Sequence, residues 1–302
     1  MNHLFCRICN KENDDPKHFY RYHELTQAEY FTQYHNRRDK LTNEVIPFKS
    51  LSQYFSIDFV NKHNFKKWLK QQPIEVQQDY CAGLLIKRKE EKQLIWTLTQ
   101  VELRSLGLPG IGFYKTLFGD YFVLCEKLGF KNKFNSDINN VLINPIFNTT
   151  LFVDTREQKG PSFKDIDFEI KKLDFGDYSI RGNVVIERKS LQDFLGTLSG
   201  GFDRFTREVE RASVANCNLI VLVEDTLSNA LSFNHLPWIS KKIKATSDFI
   251  FYNLRVLLQT HNNLQFVFCN GRKEFVRLTK LLLLNEDLFK RDLQYLLDSE
   301  QI

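Results

Sequence analysis

The second half of the chain predicts an α/β layer domain with a mixed sheet, and two observations carry that reading. From residue 151 onward, short β-rich runs alternate with stretches of helical periodicity, the rhythm of strands covered by helices. The runs Leu151–Asp154, Phe168–Leu173, Asp177–Ile180, Val184–Lys189, Leu219–Val223 and Leu264–Cys269 have strand length and are rich in β-branched and aromatic residues. Just before them, residues 131–149, KNKFNSDINNVLINPIFNT, are dense in Asn and contain Pro145, which marks a linker.

The first half has a different texture. From Leu41 to about Gly129 the text is helical: Phe59, Phe65, Trp68 and Leu69 fall near helical spacing, and Val76–Trp96 holds two further apolar-periodic stretches. Residues 1–40 are rich in Cys, His, Tyr and charge, and a unit so small needs a metal or disulfides to fold. The expected layout is therefore a metal-stabilised module over 1–40, a helical region over 41–130, a linker over 131–149 and an α/β domain over 150–302.

A chain of 302 residues with 42% hydrophobic content can build two or three cores. No stretch approaches the roughly 20 consecutive apolar residues of a membrane span. The N-terminus lacks a basic segment followed by a long apolar one, so a soluble, intracellular protein is expected, with no membrane partner. The net charge of +5 is unevenly placed: residues 1–140 carry 21 Lys/Arg against 16 Asp/Glu, whereas residues 141–302 carry 21 of each. A basic half joined to a charge-balanced half suits a chain that binds phosphate with one part and works on it with the other. Cys81, Cys125, Cys217 and Cys269 lie scattered in apolar or mixed segments and read as reduced, buried thiols.

The chemistry is concentrated in residues 176–194, GDYSIRGNVVIERKSLQDF. A three-residue turn at Arg181, Gly182 and Asn183, with Asn183 in the left-handed position, pairs Ile180 with Val184 and sets Asp177 opposite Glu187. Two carboxylates paired across strands repel each other and weaken the sheet, and a bound cation turns that liability into a site. Alternation puts Glu187 and Lys189 on one face and Val184, Ile186 and Arg188 on the other. Two carboxylates converging with a lysine suit metal-assisted phosphodiester hydrolysis, with Mg²⁺ on the carboxylates. Lys189 would position the water or stabilise the developing negative charge.

Gly176-Asp177, then Glu187-Arg188-Lys189, then Asp193 resemble the GD…ERKxxxD signature of XPF-type nucleases, and Val153-Asp154-Thr155-Arg156-Glu157 is similar to the VDxRE element that opens the same core. The resemblance covers roughly residues 150 to 285. It implies a restriction-endonuclease-like α/β fold, dependence on Mg²⁺ or Mn²⁺, and DNA as substrate. It also implies that Asp177 and Glu187 are metal ligands joined by Asp154, that Lys189 is the catalytic lysine, and that Arg156, Glu157, Arg188 and Asp193 support the site. Two of these have structural alternatives: Asp193 can cap a helix with Ser190, and Glu157 can pair with Arg156 or a lysine. Arg204, on the predicted amphipathic helix over 200–212, either contacts phosphate or pairs with Glu208 four residues on. Many relatives continue into tandem helix-hairpin-helix elements, where this chain shows one short predicted helix, Leu288–Leu297.

Cys6, Cys9, His18 and His23 have the spacing CxxC, eight residues, HxxxxH, which suits tetrahedral Zn²⁺, with His35 or His3 as alternative ligands. This segment resembles short zinc fingers that begin phage-encoded homing endonucleases. Residues 106–130, LGLPGIGFYKTLFGDYFVLCEKLGF, are similar to a repeat of homing endonucleases, with Asp120-Tyr121 where Ser-Trp is common. Pro109 and Gly110 should end one helix and Gly119 should separate two more. Lys115 in this repeat, with Lys87 and Arg88 in the KRKEEK run, are candidate DNA-backbone contacts or parts of a solvated helical face.

Three functions follow: an endonuclease that selects a DNA site through its N-terminal half, a structure-specific enzyme acting on flaps or forks, and a DNA-binding protein with a silent nuclease core. The intact Asp177, Glu187 and Lys189 count against the third. Two cuts by one active site require either a homodimer or two sequential events.

Overall fold

The computed structural model describes residues 4–6, 11–13, 73–134, 148–157, 160–163, 166–240 and 243–302. They fall into two compact units, one drawn from Met1–Leu94 and Leu106–Gly129, the other from Ile95–Ser105 and Phe130–Ile302. Among the described residues no helix is long and apolar enough to cross a membrane.

The first unit contains a small antiparallel hairpin, β1 (Leu4–Cys6) and β2 (Lys11–Asn13), and the helix α1 (Ile74–Lys92). In the second unit the segment around Trp96 leads into α2 (Gln100–Ser105). The chain then adds α3 (Ile111–Phe118) and α4 (Tyr121–Lys127) to the first unit. Gly119 has φ +82 between those two helices, and Asp120 caps α4 by accepting from the N–H groups of Phe122 and Val123. Lys89 of α1 donates to the free carbonyls of Leu128 and Gly129 at 2.9 and 2.7 Å, placing a cation where the last turn of α4 leaves its acceptors open. Gly119 separates two helices as expected, whereas the helix before Pro109 already ends at Ser105 and Gly110 instead caps the start of α3.

The second unit is built on one six-stranded sheet. Its strands are β3 (Leu151–Asp154), β4 (Phe168–Lys171), β5 (Tyr178–Ser179), β6 (Val184–Lys189), β7 (Asn218–Val223) and β8 (Leu264–Phe268), in the order β4-β3-β5-β6-β7-β8. β5 runs antiparallel to both its neighbours, and the remaining pairs are parallel. All six strand runs expected from the sequence are present, and the fold is the expected α/β layer domain with a mixed sheet.

Helices lie over the sheet, among them α5 (Leu191–Thr197), α6 (Phe202–Val214), α7 (Leu227–Leu231), α8 (Ser247–Thr260) and α9 (Arg272–Leu284). Val185, Leu219, Val221, Phe266 and Phe268 pack with Phe194, Phe205 and Leu254, whereas Val184, Ile186, Ile220, Leu222 and Val267 pack with Phe275 and Leu278. β7 is buried on both sides, which is why its sequence, NLIVLV, is a continuous apolar run without alternation.

Two local expectations are corrected. Asn183 does not take a left-handed conformation. Its carbonyl accepts from Asn218 N at 2.7 Å and its N–H donates to Glu286 at 3.2 Å, so the turn is held from outside while the register survives. The helix expected over Leu288–Leu297 is instead a 3-10 turn, Glu286–Lys290, followed by α10 (Leu293–Asp298), because Asp292 starts a new helix by accepting from Tyr295 N at 2.9 Å.

Residues 95–105 belong to the second unit through specific polar contacts. Gln259 of α8 accepts from the N–H groups of Ile95 and Trp96 and donates to Glu102 at 2.8 Å, while Asp292 accepts from Gln100 N at 2.6 Å. Of the stretch 131–149, Lys131 bridges to Trp96 and Phe134 is buried, and residues 135–147 lie outside the described residues.

Candidate active site

The register of β5 against β6 pairs Tyr178 with Ile186 and Ser179 with Val185. Continued by one residue, it sets Asp177 opposite Glu187, as expected. Gly176 makes this approach possible: its φ is +62, and a Cβ there would lie 2.8 Å from the carbonyl oxygen of Ile186. Asp177 N donates to that same carbonyl at 2.8 Å, and one carboxylate oxygen of Asp177 accepts from Arg188 N at 2.8 Å.

On the face shared with Val185, Lys189 Nζ donates to Glu187 Oε1 at 2.8 Å and sits 5.3 Å above the ring of Phe205 from α6. Burial, followed by the charge of Glu187, pushes the Asp177 carboxyl up to about 7. The folded chain thus holds two carboxylates against their mutual repulsion, with an ammonium bound to one of them. Among the described residues no group of three or more His, Cys, Asp or Glu is arranged to hold a metal ion. A pair of hard oxygen donors that leaves its remaining positions to water and phosphate matches Mg²⁺, which commonly binds through one or two carboxylates and keeps several waters.

The structure gives the other expected site residues different employment. Both oxygens of Asp154 are taken: Oδ1 accepts from Arg156 N and Nε at 2.8 and 2.6 Å, and Oδ2 accepts from Leu173 N at 2.7 Å and Arg156 Nη2 at 3.1 Å. Burial alone would raise its carboxyl, but these donors hold it below the usual carboxylate range. The Asp154 side chain is 0% exposed and orients Arg156, whose own side chain is 64% exposed. Asp193 realises its capping alternative, accepting from Ser190 Oγ at 2.7 Å while its N–H donates back at 3.1 Å.

Arg188 points to the opposite face of the sheet. It donates to Glu224 through Nε and Nη2 at 3.0 and 2.9 Å, and Glu157 lies 3.4 Å from Nη1. Burial would lower the guanidinium's proton affinity, but the Glu224 hydrogen bonds more than compensate and raise it. Glu224 also lies 3.4 Å from Arg272 at the start of α9. Glu157 is thus brought to Arg188.

Two residues were not read from the sequence as neighbours of the site. Glu224 directly follows the buried parallel strand β7, and an acidic residue at the carboxyl end of such a strand was the available signal. Glu208 of α6 feels Glu187, Lys189, Arg211 and Arg156, and burial foremost raises its carboxyl. Its helical phase, three residues after Phe205, was the clue. No ion pair joins it to Arg204, which is exposed on α6.

In the first unit, Lys87 and Arg88 lie 3.7 and 2.9 Å from Glu91, and Lys115 is exposed on α3. Cys6 ends β1, but its side chain, together with Cys9, His18 and His23 and the alternatives His3 and His35, lies outside the described residues. The four cysteines at 81, 125, 217 and 269 are free and buried, as expected, and burial pushes their thiols up to about 11 or 12.

With this geometry in place, comparison with known families is informative. Residues 153–282 match the ERCC4 domain. The match supports the XPF-type resemblance expected over roughly 150 to 285. Within the ERCC4 match lie Asp154, Arg156, Asp177, Glu187, Arg188, Lys189, Glu208, Glu224 and Arg272, whereas α2 lies outside it although it packs in the same unit. Among solved structures, the chain is similar to XPF from Aeropyrum pernix at 18% identity and a TM-score of 0.35, over 44% of this chain and 59% of that chain. It is also similar to XPF from Aeropyrum pernix in complex with DNA, at 18% identity and a TM-score of 0.36, over 50% of this chain and 74% of that chain. The first alignment thus spans less than two thirds of its counterpart. No curated protein matches the sequence.

Proposed function

We propose that the chain is a metal-dependent DNA endonuclease that hydrolyses phosphodiester bonds with Asp177, Glu187 and Lys189. The observation that carries this reading is the cross-strand placement of Asp177 and Glu187 with Lys189 on the Glu187 face, inside the stretch that matches the ERCC4 domain. Asp177 and Glu187 would hold Mg²⁺ or Mn²⁺. A divalent cation bound there supplies Lewis-acid activation of water and offsets charge on the phosphate.

The remaining chemistry belongs to the chain's own groups. Lys189 is held beside Glu187 and over Phe205, where its ammonium can orient the attacking water or meet developing negative charge. Arg156 is fixed in a fork by Asp154 and presents its exposed edge for a phosphate. Arg204, Lys115, Lys87 and Arg88 are proposed DNA-backbone contacts, and Cys6, Cys9, His18 and His23 are proposed to hold one Zn²⁺. Through that N-terminal half the enzyme would select a DNA site in the manner of homing endonucleases. The ERCC4 match favours a second reading, in which the enzyme selects flaps or forks.

Cleavage of supercoiled plasmid, long linear duplex and synthetic flap DNA with Mg²⁺, running Glu187→Ala beside the wild type, tests the proposal. Discrete duplex fragments abolished by the substitution support site selection, and flap-only cutting supports the second reading. No cutting of any substrate would leave a DNA-binding protein with a silent core.

A further inference from the structure

Helix α6 carries three arginines at positions 204, 207 and 211, all exposed. At 3.6 residues per turn they fall within an arc of about 60° and span about 10 Å of helix. None of the three enters an ion pair, unlike Arg188 and Arg277 of the same unit. Asp203 sits one turn before Arg207, yet Arg207 Nε meets its main-chain carbonyl at 3.3 Å rather than its carboxylate. Three unpaired guanidinium groups on one line carry a desolvation-free positive charge that an anion in a regular array can take up.

The line has a fixed relation to the catalytic patch. Phe205, Val209 and Ala212 are the buried stripe of α6, and Phe205 lies beneath the Lys189 ammonium. Going round the helix from that stripe, Glu208 comes next, then Arg204 and Arg211, then Arg207. Glu208 acts on Glu187, Lys189 and Arg156, so the arginines border the patch on its Glu208 side.

We propose that Arg204, Arg207 and Arg211 form a track for the DNA backbone, binding consecutive phosphates of a strand as it passes the Asp177–Glu187 pair. The proposal rests on the nuclease reading above and adds Arg207 and Arg211 to it. B-DNA offers one phosphate per about 3.4 Å of axis on each strand, so a stripe of about 10 Å covers two or three of them. Such contacts set affinity and register without reading sequence.

The test is fluorescence anisotropy of a labelled duplex bound by the full chain in EDTA, with NaCl raised from about 50 to about 200 mM. The plot of log affinity against log salt should flatten by about 0.9 for each phosphate contact removed, hence by about 1.8 in the Arg207→Ala/Arg211→Ala double variant. Binding over that salt range then changes about 12-fold less than for the wild type. Lysine at both positions should restore most of the slope, which a merely structural role would not predict. Arg104→Ala, on α2, should leave the slope in place. An unchanged slope in the folded double variant, or an equal loss in Arg104→Ala, overturns the track. If the wild type cuts DNA while the double variant binds as it does, only the track falls; if the wild type neither binds nor cuts DNA, the nuclease reading falls with it.

Discussion

Glu224 grips Arg188 with both carboxylate oxygens, at 3.0 and 2.9 Å, while its own N–H donates to the carbonyl of Lys189 at 2.8 Å. Arg188 stands between Glu187 and Lys189, and its N–H holds the Asp177 carboxylate. One residue on the far side of the sheet therefore fixes the strand that carries Glu187 and Lys189.

Removing that grip leaves a buried guanidinium with only Glu157 and should cost about 3 kcal/mol. Glu224→Ala is expected to melt lower and to lose cleavage more in kcat than in KM, because Asp177 and Glu187 lose their orientation. Glu224→Gln, which keeps one acceptor oxygen for Arg188, should recover part of both. Full turnover by Glu224→Ala would mean that the strand holds its own position.

Asp177 titrates in a revealing direction. Its carboxyl is pushed up to about 7 by burial and by Glu187, so the folded chain binds that proton more tightly than the unfolded one. Without divalent cations, the resulting stabilisation is full below about pH 4 and is lost as pH rises toward about 7. Thermal melts in EDTA should show Asp177→Asn gaining on the wild type across this window, and cleavage in Mg²⁺ should be absent from the variant. Melting curves that stay parallel would mean that the two carboxylates do not meet in the folded chain.

Gly176→Ala is expected to destabilise the chain by roughly 1–3 kcal/mol through its left-handed backbone alone. The added Cβ also presses on the Ile186 carbonyl, the acceptor for Asp177 N. Cleavage should fall further than stability does, measured at a temperature where the variant is folded. Wild-type activity in this variant would show that Asp177 tolerates displacement.

Gln259→Leu tests whether residues 95–105 are part of the sheet unit. The substitution deprives Ile95 N, Trp96 N and Glu102 of a partner, at a cost of about 2 kcal/mol. A lower Tm is expected, with hydrogen exchange rising at α2 and α8 together. Exchange confined to α8 would contradict it.

Much of this site is legible along the chain because its causes are local. The register that sets Asp177 against Glu187 follows from a short hairpin and strict alternation, and it held even though Asn183 departs from the expected turn geometry. The Ser190–Asp193 cap and the helix break at Gly119 are equally local. The strand runs were readable for the same reason, including the continuous apolar run of β7.

What the tertiary structure alone decided concerns residues far apart in sequence. Arg188 and Glu224 are 36 positions apart, and Gln100 and Asp292 are 192 apart. No periodicity links such pairs, so neither the grip on β6 nor the capture of residues 95–105 by the sheet unit could be read in advance. Asp154 shows the same limit within one motif: its sequence neighbours suggest a ligand, but Leu173 N reaches its carboxylate only because β3 and β4 pair, and that bond helps commit it to holding Arg156. The sequence alone determined which side chains make up the candidate site and which strands present them; burial and long-range hydrogen bonding decided which of its carboxylates keep oxygens free, because a carboxylate's availability depends on every donor the fold brings within reach.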